Sequence, residues 1–214
     1  MAFKIIVCAV LAYFIGTIQT AIILSKSVKK QDIRNFGSGN AGSTNMVRTF
    51  GWGLGALTFL GDLVKGALAT LICGWIAGDW GIFVGGLFCI MGHVWPVQYG
   101  FKGGKGVAST FGVMLAVNPL VAIITFAACL IVALITRFVS IASLLGVVAF
   151  FIASLFMGRI AIVLLFLALM LLIFFTHREN IARLFKGTEN PFFGKSKGSA
   201  NGNGNAQQTG RNLK

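Results

Sequence analysis

Apolar residues along the chain are gathered into long runs, not into the every-second-residue alternation of a strand or the narrow stripe of a surface helix. The runs cover residues 5–24, 53–75, 81–95, 107–117, 120–136, 138–156 and 160–175, with polar stretches between them. A helix that is apolar on every side belongs in lipid or in a large core, and about 20 such residues cross about 30 Å of hydrocarbon. The pattern predicts an all-α polytopic membrane protein. Several runs are shorter than a full crossing. The run 107–117 reads either as a short span or as the first part of a longer helix continuing through Asn118 and Pro119 to Thr136, so hydropathy alone leaves six or seven spans.

Basic residues choose between the two counts, because cytoplasmic loops carry the Lys and Arg excess. With seven spans and the N-terminus outside, Lys26, Lys29, Lys30, Arg34, Arg48, Lys102, Lys105, Arg137, Arg178, Arg183, Lys186, Lys195, Lys197, Arg211 and Lys214 share the inner side, 15 of the 18 Lys and Arg. Lys4 and Arg159 fall opposite, and Lys65 lies within a span. Six spans would move the whole basic tail to the other side. The expectation is seven transmembrane helices, N-terminus out and C-terminus in, with a tight turn at Asn118-Pro119. The first run has no small-residue cleavage site behind it and reads as a retained span.

Composition sharpens this. The chain is 57% hydrophobic and 11% charged, with a mean hydropathy of +0.87, which excludes an ordinary soluble domain. Its formal charge of +13 calls for an anionic neighbour, and nucleic acid, anionic lipid or a small phosphorylated substrate would each answer it. Cys8, Cys73, Cys89 and Cys129 stand singly in apolar runs and read as packing residues. Residues 194–214 are rich in Gly, Asn, Ser and Gln and predict a disordered polar tail, leaving 1–193 as a single membrane domain.

Three polar segments fall on the predicted inner side. Residues 36–48 contain Ser38, Gly39, Asn40, Gly42, Ser43, Thr44, Asn45 and Arg48; glycines let backbone N–H groups turn towards a phosphate, and the hydroxyls and Arg48 add donors. Lys102-Gly103-Gly104-Lys105-Gly106 leads into the run 107–117, and a helix N-terminus favours an anion. The order of a Walker A loop is absent, so nothing argues nucleotide. In 177–189, His177 and Asn180 stand one turn apart, on one face with Ile181 and Leu184, if the last helix continues; Glu189 follows Gly187-Thr188. Within the runs, Asp62 and Lys65 are three apart and should pair or face a polar cavity. Ser140 and Ser143 either donate to a site or bond backbone carbonyls.

Gly37-Ser38-Gly39-Asn40-Ala41-Gly42-Ser43-Thr44-Asn45 with Arg48, then Lys102-Gly103-Gly104-Lys105-Gly106-Val107-Ala108, then His177-Arg178-Glu179-Asn180-Ile181 with Arg183-Leu184 and Gly187-Thr188-Glu189, resemble in order the three signature motifs of the bacterial acyl-phosphate:glycerol-3-phosphate acyltransferases of the PlsY type. Asp62-Leu63-Val64-Lys65-Gly66 and His93-Val94-Trp95-Pro96-Val97 also resemble family segments, and the resemblance runs from about residue 5 to residue 193. Ser43 stands where Ala is usual, and Ser109 intervenes where many members read Val-Ala-Thr. The resemblance implies transfer of an acyl group from acyl phosphate to the 1-hydroxyl of sn-glycerol 3-phosphate, giving lysophosphatidic acid and inorganic phosphate in phospholipid biosynthesis. It also implies a seven-span fold in the bacterial cytoplasmic (inner) membrane with the active site facing the cytoplasm.

Residues and resemblance together mark His177, Asn180, Ser38, Lys105 and Arg48 as catalytic. Substrate-binding positions are Ser38, Gly39, Asn40, Gly42, Ser43, Thr44, Asn45, Arg48, Lys102, Gly103, Gly104, Lys105, Gly106, Ser140, Ser143 and Glu189. No cofactor, metal or nucleic acid is expected; the partners are the two substrates and membrane lipid, and the chain is expected to act as a monomer. Acyl phosphate is an activated mixed anhydride, so no covalent intermediate is needed, and no Ser-His-Asp or Cys-His set is visible. The H-x-x-x-x-D pair of other acyltransferases is absent, since Gln98 lies five after His93 and Ala182 five after His177. His177 is either a general base or an orienting donor while a substrate phosphate oxygen takes the proton; the second role is the one expected. The rival reading is a membrane transporter of small phosphorylated anions, which would use Asp62 and Lys65 but needs no gathering of polar motifs on one side.

Overall fold

The computed structural model describes residues 1–192. The tail expected to be disordered, 194–214, lies outside the described residues. Those residues form helices and no strand: α1 (Ala2–Gly16), α2 (Thr20–Lys29), α3 (Ser43–Phe50), α4 (Trp52–Val94), α5 (Val107–Val117), α6 (Pro119–Thr136), α7 (Val139–Ser154), α8 (Ile160–Thr176) and α9 (Arg178–Phe185). All the apolar runs lie on helices. By length and composition, α1 with α2, α4, and α6 are able to cross a membrane, and α8 with α9 form a further, bent candidate; α5 and α7 are shorter, at 11 and 16 residues.

A straight helix of 43 residues would run about 65 Å, twice the hydrocarbon thickness. Instead α4 folds back on itself. Ala77 and Gly78 leave the helical region, Gly78 with φ 60 and ψ −144, a conformation that glycine alone adopts readily. The arms then pack antiparallel: Gly81 lies against the Cys73 carbonyl, Gly85 against Ala69 and Cys73, and Cys89 Sγ reaches the Lys65 carbonyl at 3.6 Å. The runs 53–75 and 81–95 are thus two arms of one hairpin.

Two expected continuous helices are broken. The run 5–24 is interrupted between α1 and α2, where the Thr17 hydroxyl donates to Phe14 O at 2.7 Å and accepts from Gln98 Nε2 at 2.9 Å, and Gln19 Nε2 donates to His93 O at 3.0 Å. Polar side chains here find partners at the far end of α4. The helix expected to continue past residue 176 bends by 58° at His177. There His177 Nδ1 and the Thr176 hydroxyl both turn to the Ile173 carbonyl, side-chain bonds that compete with helix propagation.

α4 is the hub, packed by α1, α3, α5 and α8. At the α4–α5 seam, Gly66 meets the Ser109 carbonyl and Gly112 meets the Leu63 carbonyl, so the two backbones touch where a Cβ would separate them. Phe150, Leu165, Phe166, Leu169 and Ile173 are buried, with the Phe150 and Phe166 ring centroids 4.4 Å apart. Leu120, Ile123, Ile131, Leu134 and Ile135 are exposed on the outside, which suits lipid and not water. The four cysteines are buried and unbridged, as packing residues should be. Asn118 caps α6, its Oδ1 accepting from Val121 N at 3.2 Å with Pro119 in the first turn.

Candidate active site

The first polar loop is folded around one side chain. Asn45, in the first turn of α3, accepts from Ser38 N through Oδ1 at 3.0 Å, and its Nδ2 donates to the Phe36 and Asn40 carbonyls at 3.0 Å each. Gly37 sits so close that a Cβ would strike Asn45 Oδ1. The second loop is folded on a helix end. Gly103 N donates to Val94 O and Gly104 N to His93 O, each at 3.2 Å, which satisfies carbonyls left orphaned where α4 stops.

Not every expected residue comes to the same place. The N–H groups of Gly103 and Gly104, expected to meet a phosphate, are spent on α4, and neither glycine lines the cavity described below. Gly39 and Lys102 do not line it either; Gly39 turns the first loop at φ 70, and Lys102 is exposed.

The cavity has a volume of about 410 Å³. Three helix starts open onto it: Gly42, Ser43 and Thr44 at α3, Gly106 and Val107 at α5, and His177 with Asn180 at α9. Ser38, Asn40, Asn45, Arg48, Lys105, Ser140, Ser143 and Glu189 complete the expected residues found there. Arg183, Asp62, His93 and Asn190, not among the expected site residues, also line this wall; Arg183 stands within the third motif, and Asp62 is the residue expected to pair or face a polar cavity. The rest is apolar, with Phe59, Phe111, Phe126, Leu130 and Ala133. Phe126 and Leu130 are 41% and 51% exposed, and they stand on α6 beside Ile123, Ile131 and Leu134, which are exposed too.

A chain of polar contacts links the segments. Lys105 Nζ donates to Asn180 Oδ1, and Asn180 Nδ2 donates to Glu189 Oε1. Glu189 also accepts from Ser140 Oγ at 3.1 Å and from Arg183 Nε at 2.8 Å. Of the two serines, Ser140 thus serves the site and Ser143 bonds the Val139 carbonyl at 2.8 Å. Arg48 Nη2 donates to the carbonyls of Asn190 at 2.9 Å and Pro191 at 3.3 Å.

Burial lowers the pKa of Lys105 to about 8, with the Arg183 charge pushing the same way, and burial also lowers that of Arg48. His177 is pushed down to about 4 by burial and then by Lys105, so it is neutral near pH 7. Its Nδ1 lies 2.9 Å from the Ile173 carbonyl. A carbonyl only accepts, which assigns the proton to Nδ1 and leaves Nε2 as an acceptor. Asp62 and Lys65 are paired at 2.8 Å, both buried. Among the described residues no three His, Cys, Asp or Glu side chains gather as a metal site.

The family model for glycerol-3-phosphate acyltransferase matches residues 6–187. The chain belongs to this acyltransferase family. Its relatives include the glycerol-3-phosphate acyltransferases of Finegoldia magna, 45% identical over 187 residues (86% of this chain, 94% of the relative), and of Clostridioides difficile, 42% identical over 193 residues (87% and 95%). Among solved structures it resembles the crystal structure of PlsY (YgiH), an integral membrane glycerol 3-phosphate acyltransferase, in its glycerol 3-phosphate form, with a TM-score of 0.84 and 38% identity over 89% of this chain and 96% of that one. The lysophosphatidic acid form of PlsY matches at 0.82 and 36%, over 89% and 95%. The PlsY-type membership implied by the three motifs is borne out, and the enzyme is an all-helical, membrane-embedded acyltransferase.

Proposed function

We propose that this acyltransferase holds sn-glycerol 3-phosphate and acyl phosphate together in the 410 Å³ cavity and moves the acyl group to the 1-hydroxyl, releasing inorganic phosphate. The observation that carries this reading is the make-up of the cavity wall: one part of the lining is Arg48, Lys105 and Ser38 beside helix starts, and the other part is apolar, with Phe126 and Leu130 on the exposed, apolar helix α6. Phosphates suit the first part and an acyl chain delivered from the bilayer suits the second. The forms of PlsY named for glycerol 3-phosphate and for lysophosphatidic acid support the same acceptor and product.

In this reading Arg48, Lys105 and Ser38 bind phosphate, with Asn40, Gly42, Ser43, Thr44 and Gly106 shaping the cradle and Ser140 and Glu189 holding Asn180 and Arg183 in place. The glycerol oxygen attacks the acyl carbonyl carbon, the carbon–oxygen bond to phosphate breaks, and phosphate leaves with that electron pair. Alignment supplies much of the rate because the donor is already activated. The Nδ1 proton tied to Ile173 makes His177 an acceptor for the attacking hydroxyl, in place of the donor role expected from sequence; the hydroxyl proton passes to Nε2 or onward to a phosphate oxygen. The cavity sits with the basic loops, which supports a cytoplasmic face and, with it, seven crossings with the N-terminus out and C-terminus in and residence in a bacterial inner membrane.

The test is a donor assay with purified protein in lipid nanodiscs. Acyl phosphate with glycerol 3-phosphate should yield lysophosphatidic acid and one equivalent of phosphate, and acyl thioesters should yield none. Product from acyl thioester alone overturns the donor assignment; anion flux without phosphate release favours a transporter.

A further inference from the structure

Asp62, Lys65 and His93 form a charged cluster that the chemistry above leaves unused. Their exposures are 1%, 5% and 3%, at a depth where ionisable side chains are expensive and usually serve function. As a source of stability the pair is a poor device, because replacing a buried ion pair by well-packed apolar residues is often neutral or stabilising. Its connections are more informative. The Lys65 ammonium has three donors and meets three acceptors: Asp62 Oδ1 at 2.8 Å, the Ile18 carbonyl in the α1–α2 break, and His93 Nδ1 at 2.8 Å. Thr20 adds a bond to Asp62 at 3.0 Å.

An ammonium cannot accept, so His93 Nδ1 must, and the ring is fixed with Nε2 on its far edge. That edge abuts Gly104, where a Cβ would collide with Nε2, and the Gly104 N–H donates to the His93 carbonyl at 3.2 Å. Gly104 is the residue before Lys105. The cluster therefore connects the broken first helix and both arms of α4 to the backbone that carries Lys105 into the cavity.

We propose that Asp62, Lys65 and His93 are positioning residues that set the placement of Lys105 through Gly104, an inference that rests on the phosphate-binding role given to Lys105. Lys65 orients the His93 ring, the ring backs Gly104, and the loop can settle in one place only. A misplacement of about 1 Å can cost about a hundredfold in rate.

A double-mutant cycle on kcat/KM for glycerol 3-phosphate tests this, using full-length protein in nanodiscs: wild type, His93→Ala, Lys105→Ala and the double variant. His93→Ala should lower kcat/KM by about tenfold to a hundredfold, yet by less than about twofold once Lys105 is already Ala, because residues acting through one another are not additive. A merely structural role would cost the same in both backgrounds and overturns the proposal. So does wild-type kcat/KM in His93→Ala. If Lys105→Ala is itself near normal, the phosphate role of Lys105 fails and the proposal falls with it; an additive His93 effect beside a crippled Lys105→Ala removes the positioning role alone. Should His93→Ala fail to accumulate, the charge-free pair Asp62→Asn with Lys65→Met enters the same cycle and is judged by the same outcomes.

Discussion

Loops 36–42 and 102–106 are both rich in glycine and both bring a cation to one cavity, yet they are held by different means. The first wraps around the Asn45 amide, which supplies an acceptor to Ser38 N and donors to the Phe36 and Asn40 carbonyls. The second is held mainly through its backbone: its Gly103 and Gly104 N–H groups close on the carbonyls that end α4, and the Thr176 hydroxyl donates to Lys105 O at 3.2 Å. Glycine serves close approach in both, not a ring of free N–H groups around an anion. The binding character proposed for the cavity comes instead from the residues that follow, Arg48 on α3 and Lys105 before α5, and from the helix starts beside them.

The largest effect expected is on those two cations. Removing a charged partner of a desolvated phosphate costs about 2–5 kcal/mol, so Arg48→Ala and Lys105→Ala should each lower kcat/KM by about thirtyfold to several thousandfold while the protein still inserts. Near-normal steady-state kinetics in one variant alone would leave a single loop responsible for phosphate.

The supports should respond differently. Asn45→Ala removes the acceptor of Ser38 N and the donor to the Ile33, Phe36 and Asn40 carbonyls, which should destabilise the protein by about 1–3 kcal/mol in thermal unfolding. Asn45→Asp should do no better, since it sets a carboxylate oxygen against the carbonyls Nδ2 now serves. Gly104→Ala keeps every backbone bond but meets His93 and the Ala41 carbonyl, an overpacking cost of about 1–3 kcal/mol. A stable Asn45→Ala protein would show that the first loop does not depend on its amide.

The smallest effect separates the cations by pH. Burial has brought the Lys105 pKa down to about 8, so its charge is present below that pH and is lost as pH rises through it, whereas Arg48 stays protonated. KM for glycerol 3-phosphate should therefore rise severalfold between about pH 7 and 9, and Lys105→Arg should flatten that rise. An unchanged slope in Lys105→Arg would assign the titration elsewhere.

Much of this architecture was legible in the sequence. Apolar runs marked helices because lipid selects for residue type along the whole circumference of a helix. The motifs marked the cavity because few other reasons exist to gather Gly, Ser, Asn and Lys at helix ends. What escaped was decided by partners distant in sequence. Gln19 breaks the first run by reaching His93, 74 residues away, and Arg48 meets Asn190 across 142 residues. The expected helix through His177 failed locally, where the histidine and Thr176 both sought the Ile173 carbonyl. The acceptor role proposed for His177 rests on that same carbonyl, 2.9 Å from Nδ1, which the sequence did not reveal.

The partners of Arg48 and Lys105 have a kinetic consequence. Arg48 is bonded to the Asn190 and Pro191 carbonyls and Lys105 to the Asn180 amide oxygen, so each cation already has an oxygen of the chain at hand. With the phosphate-binding roles proposed for them, phosphate arrives and departs by ligand exchange: an incoming oxygen substitutes for a carbonyl, and that carbonyl is waiting when the product phosphate goes. Release need never pass through a bare cation in the cavity wall, a costly intermediate on the way out. Tight grip during transfer and fast release afterwards cease to be opposing demands, and weakly held anions such as chloride must compete with a resident ligand before they can occupy the site.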